Sequence, residues 1–78
     1  MTTEKITLTD VPVQLTSGSE TAYVSCPGSH FCFADSAAAP TELTTAHVDS
    51  KVSINPPFQI WAWSLTGDVQ IIVSKQSA

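Results

Sequence analysis

The sequence predicts an all-β fold, a small antiparallel β-sandwich or β-barrel of about six to eight short strands. Three observations lead there. Apolar and polar residues alternate with the two-residue period of a strand in one segment after another. Turn signals built from Gly, Pro, Ser and Asp separate these segments about every ten residues. No stretch of useful length carries the spacing of an amphipathic helix. The 78 residues form a single all-β domain, 1–78, with no linker, repeat or low-complexity run.

The elements follow in order along the chain. Lys5 to Thr9 alternates as a short strand. Asp10 and Pro12 interrupt it, and Val11, Val13 and Leu15 continue the alternation. Pro12 has no amide donor, so this piece belongs at a sheet edge or near a bulge. Ser17-Gly18-Ser19 is a turn. Glu20 to Cys26 reads as a strand with Ala22, Val24 and Cys26 on one face and Tyr23 on the other. Pro27-Gly28-Ser29 turns the chain. His30 to Asp35 returns, with Phe31 and Phe33 on one face and His30, Cys32 and Ala34 on the other. The two strands are expected to pair as a β-hairpin.

Ser36 to Pro40 is a small-residue loop, because Pro40 and the threonines after it oppose a helix. Thr41 to Val48 is expected as an extended segment or a poorly paired edge strand. Asp49-Ser50 is a turn, and Lys51 to Ile54 a short strand. The stretch Pro56 to Leu65 holds both tryptophans and is expected as the central strand. Pro56-Pro57 delays the start of its ladder. Phe58, Ile60 and Ala62 share one face; Gln59, Trp61, Trp63 and Leu65 share the other. Both faces are mainly apolar, so either the chain covers both or another subunit covers one. Thr66-Gly67-Asp68 leads into a strand from Val69 to Ser74, with Val69, Ile71 and Val73 facing one way. Lys75 to Ala78 is expected as a tail.

A domain of this size buries only about two-thirds of its unfolded surface, and small domains often add disulfides, metals or oligomerisation. Two cysteines permit one internal disulfide at most. The apolar faces of the Trp-bearing strand point to a homo-oligomer. Charged residues are 13% of the chain, against roughly a quarter in a typical soluble domain. The net charge is −4, and Lys5, Lys51 and Lys75 are the only basic side chains besides histidine. That balance lacks the basic footprint of a nucleic-acid binder. No segment has the ~20 apolar residues of a membrane-spanning helix, and Met1 to Lys5 leads into no long apolar run. Synthesis in the cytosol is expected.

Cys26, His30 and Cys32, with His47 as a possible fourth ligand, have the residue types of a zinc site. Their spacing departs from the Cys pairs of structural sites. The thiols are therefore read as small, half-buried apolar groups, reduced in a cytosolic product. Glu20, Asp35, Glu42, Asp49 and Asp68 fall at strand ends and turns, and no pair is assigned to acid–base work. No catalytic residue and no cofactor is expected. Trp61 and Trp63 admit three readings: core, subunit interface, or stacking platform for a sugar. The candidate contact residues are Trp61, Trp63 and Tyr23, ahead of Phe31 and Phe33, which the core claims.

Several stretches together carry a family resemblance. They are Thr9 to Thr16 (Thr-Asp-Val-Pro-Val-Gln-Leu-Thr), Thr21 to Val24, Phe33 to Ser36, Pro56 to Ser64 and Val69 to Ser74. In this pattern the chain resembles the small all-β accessory virion proteins of tailed bacteriophages and prophages. The resemblance implies a structural protein of the head, neck or tail, not an enzyme. It implies a homo-oligomer among other virion proteins, made in the host bacterial cytoplasm, with no nucleic-acid or membrane partner. It transfers no functional residue. The rival expectation is a carbohydrate-binding or other ligand-binding module using an aromatic platform.

Overall fold

In the computed structural model, which describes residues 2–77, two four-stranded antiparallel sheets stack face to face. The strands are β1 (Thr2–Leu8), β2 (Val13–Gln14), β3 (Glu20–Ser25), β4 (Phe31–Asp35), β5 (His47–Asp49), β6 (Lys51–Ile54), β7 (Ile60–Trp63) and β8 (Val69–Ser77). The first sheet runs β1-β8-β3-β6 and the second β2-β7-β4-β5. No helix occurs among the described residues. The extents are 32 × 26 × 16 Å, the short one fitting two sheets about 10 Å apart.

The two-residue period decides which side chains form the core. Ile6 and Leu8 of β1 lie opposite Ile71 and Val69 of β8, and Val24 of β3 lies opposite Val73 of β8 and Val52 of β6. These face Phe31, Ile60 and Ala62 of the second sheet, with Leu15 and Cys26 completing the cluster. Burial of a side chain such as Phe31 or Ile71 stabilises the fold by about 1.5–3 kcal/mol relative to exposure.

Connectivity departs from expectation. Glu20–Ser25 and Phe31–Asp35 do not pair as a hairpin: β3 lies in the first sheet and β4 in the second. The Ser29 N–H still closes a turn onto the Cys26 carbonyl at 3.2 Å, but Cys26 pairs instead with the β5–β6 corner through the Ser50 carbonyl at 2.7 Å. The turn thus arches across the end of the sandwich. Both strands have apolar core faces, and stacking them across the core buries both. Only β4 and β5, among consecutive strands, share a sheet; every other connection changes sheet. The β1–β2 and β5–β6 crossings close the two sides.

Three further expectations are corrected. The Trp-bearing strand is an interior strand of the second sheet but spans only Ile60–Trp63. Asn55 to Phe58 is a turn with a cis Pro56–Pro57 bond, closed from the Phe58 N–H to the Asn55 carbonyl at 3.2 Å. Phe58 therefore leaves the core face of Ile60 and Ala62 and is 51% exposed. Lys75 to Ser77 is no tail: it extends β8 against Glu20 to Ala22. Ala78 lies outside the described residues. Between residues 41 and 48, only His47 and Val48 join a strand. Pro12 does precede an edge strand, since β2 ends the second sheet.

Candidate functional site

The tryptophans occupy the outer face of the second sheet. Alternation along β7 turns Ile60 and Ala62 to the core and Trp61 and Trp63 outward, where Cys32 lies opposite Trp63 and Ala34 opposite Trp61. The chain covers this face itself. The Trp61 indole Nε1–H donates to the Ser36 carbonyl at 2.9 Å, and the Trp63 Nε1–H to the Leu43 carbonyl at 3.1 Å. These two bonds hold the β4–β5 loop, residues 36–46, over the sheet. Trp63 is 0% exposed and Trp61 half-buried. Of the three candidate contact residues, Trp63 offers no surface to a partner, Trp61 offers part of its ring, and Tyr23 is 49% exposed on the opposite sheet.

Cys26 and Cys32 are separated by the second sheet: Cys26 belongs to the core and Cys32 to the outer face beside Trp63. Both are free and buried. His30 is exposed beyond β4, while His47 lies at 5.5 Å from the Phe33 ring at an exposed edge. No three metal-ligating side chains converge among the described residues. Glu20 has a local role. Its carboxylate accepts from the Ser17 N–H at 2.6 Å and from the Ser17 hydroxyl at 3.0 Å. These bonds, the backbone one foremost, hold its carboxyl below the usual range, assisted by Lys75.

Two further surfaces bear on function. The first lies between β5 and β6, the edge strands joined by the crossing at Ser50. A cleft of about 180 Å³ opens there, walled by Phe33, Ile54, Phe58 and Ile60, with Asp35 and His47 at its rim. Asp35 is engaged, accepting from the Gln59 N–H at 2.7 Å. Both strands end their sheets, so each has an unpaired edge. Val48 stands exposed on β5 and Phe58 above the cleft. The spacing of apolar residues in the sequence could not announce this cleft, because it arises where two sheets part.

The second surface is the outer face of the first sheet. Register places Thr3, Ser74, Tyr23 and Ser53 in one row across it, and Lys5, Ile72, Ser25 and Lys51 in the next. Depressions of about 360 and 210 Å³ mark the face, the first beside Tyr23, the second between Lys5 and Pro27.

Fold and surfaces together define a β-sandwich with an apolar sheet-edge cleft and a polar outer face on its first sheet. No family model, curated protein or solved structure matches the chain.

Proposed function

We propose that the protein is a structural assembly module, a homo-oligomer working by protein–protein contact. Its place is the head, neck or tail of a bacteriophage or prophage virion, among other virion proteins. It is made in the host bacterial cytoplasm and catalyses no reaction. The virion assignment rests on the resemblance of the sequence pattern. The observation that carries the assembly reading is the apolar cleft beside two unpaired sheet edges.

An edge strand offers unpaired N–H and C=O groups to an incoming strand, and pockets beside the edge give such pairing its specificity. Here a neighbouring copy would add an extended segment to β5 or β6 and seat an apolar side chain beneath Phe58. Val48, 58% exposed, stands on the other face of the same edge strand, opposite Cys32, and would flank a segment added to β5. The rival reading of a sugar platform built on Trp61 and Trp63 has less support, because the 36–46 loop already occupies that face.

Sedimentation tests the assembly. The wild-type protein should sediment as an oligomer at micromolar concentration. Phe58→Ser and Val48→Ser should release a folded monomer, since truncating a central interface side chain costs about 2 kcal/mol or more. A wild-type chain that stays at 8.3 kDa at high concentration would remove the proposal.

A further inference from the structure

We infer that the outer face of the first sheet is a binding face for an acidic polysaccharide, with Tyr23 as the stacking surface and Lys5 and Lys51 as the charge contacts. This goes beyond assembly and uses the outer face of the first sheet, which adjoins the assembly cleft at Ser53 and Ile54 of β6.

Charge distribution is the first argument. The chain carries seven Asp and Glu residues against three Lys, yet none of the seven side chains lies on this face. Glu4 and Glu20 share the inward-facing register of Ile6 and Ala22, Asp35 and Asp49 belong to the second sheet, and Asp10, Glu42 and Asp68 lie in connections. Two of the three lysines do lie on it, both exposed. The third, Lys75, is occupied elsewhere, donating to the Leu15 carbonyl at 3.1 Å. An acidic protein therefore has one face that is locally basic, which favours an anionic partner.

The remaining chemistry selects the class of anion. Tyr23 stands exposed beside a depression whose lining includes the hydrogen-bonding groups of Thr21, Ser53, Asn55, Ser74 and Gln76, together with Lys75 and the apolar Ala22 and Ile54. A pyranose ring has an apolar face that packs on an aromatic plane and hydroxyls that bond to amides and hydroxyls at its rim. Tyr offers such a plane with a polar tip. Lys51 stands on the strand next to Tyr23, displaced by two residues, which makes them diagonal neighbours roughly 7–8 Å apart. Lys5 stands across the sheet from Lys51 by three strand spacings, about 14 Å. Two spaced cations in the row next to an aromatic suit a linear polymer with carboxylates at intervals along it. They do not suit the dense phosphates of a nucleic acid, which call for a larger basic footprint.

Calorimetric titration of the full chain with polygalacturonate and with hyaluronate, at low salt, tests this directly. Dextran serves as the neutral control. Binding should occur with an acidic polymer and weaken as ionic strength rises from about 0.01 to 0.15 M, where the screening length falls from about 30 to about 8 Å. Lys5→Gln with Lys51→Gln should lower affinity about tenfold, the equivalent of about 1.4 kcal/mol, and flatten the salt dependence. Tyr23→Ala should lower affinity for the acidic polymer while leaving the salt dependence in place. Circular dichroism of each variant separates lost binding from lost folding, and conservative Lys5→Arg with Lys51→Arg should bind.

Absence of binding to both acidic polymers overturns the inference. So does equal binding to dextran, or binding unchanged in the double lysine variant. Equal capture by anionic lipid vesicles, or a self-association lost in the lysine variants, assigns the face to a membrane or a second copy and also overturns it. Phe58→Ser should bind the polymer normally whatever its oligomeric state, so this test stands apart from the assembly test.

Discussion

At the scale of single residues, Thr16 shows how one hydroxyl completes a ladder. It is buried, and its Oγ1 donates to the Phe58 carbonyl at 2.9 Å while accepting the Ile60 N–H at 3.1 Å. The hydroxyl thus satisfies backbone groups where β7 begins, just beyond the β2–β7 pairing. Thr16→Val keeps the shape and removes the bonds. It should destabilise the protein by about 1–3 kcal/mol, the cost of leaving buried polar groups unpaired. Thr16→Ser should cost less, and chemical denaturation compares the two; a Val variant as stable as the parent would contradict the assignment. Glu20 makes a second residue-scale case. Its carboxyl is held low by the Ser17 N–H in the folded chain, so the unfolded state binds its proton more readily. Its contribution is therefore complete above the ordinary Glu value, about 4.3, and declines as pH falls through the lower folded value. Glu20→Gln should be less stable than the parent at neutral pH, and the difference should shrink in acid. A difference constant down to pH 2 would remove that coupling. The turn beside it requires Gly18, whose φ is +105° and whose Cβ position would fall 3.3 Å from the Pro57 carbonyl.

At the scale of elements, β7 and the 36–46 loop form one unit. The strand supplies two indoles on its outer face, and the loop supplies two carbonyls to receive their N–H groups. The loop is longer than most connections in a compact domain, which have a median of about 4–6 residues. Here it covers apolar surface that would otherwise face water. Trp63→Ala should cost about 3–5 kcal/mol, the range for removing a large buried aromatic. It should also free the loop, so that a glutamate-specific protease cleaves after Glu42 faster than in the parent. A Trp63→Ala variant that stays fully folded but falls from oligomer to monomer would place the indole at a subunit contact instead.

At the scale of the whole molecule, nearly every connection crosses between sheets, so stability depends on residues far apart in sequence. Cys26 bonds to Ser50, Ser64 to Thr9 and Leu15 to Ile60 through the backbone. The two surfaces assigned above meet at β6, where Ser53 and Ile54 line both the cleft and the depression beside Tyr23; the polar face runs from there across the first sheet to β1. Under the assembly proposal, the melting temperature should also rise with protein concentration, because association stabilises only the folded chain.

The sequence by itself determined the strand class and which side chains share a face. Alternation placed Ala22, Val24 and Cys26 together, Phe31 with Phe33, and Val69 with Ile71 and Val73, because a pleated backbone leaves no other arrangement. It also placed Pro12 near an edge. Tertiary structure decided the rest. A turn such as Pro27-Gly28-Ser29 serves a hairpin or an arch equally well, and only burial of both strands against one core selects the arch. Two apolar faces on β7 required two covers, and local pattern could not say whether a loop or a subunit supplies the second. The loop does so through its carbonyls, which every residue possesses and no sequence signal marks. The gathering of Lys5, Lys51 and Tyr23 on one face was equally hidden, since strand order and register bring them together from three separate strands.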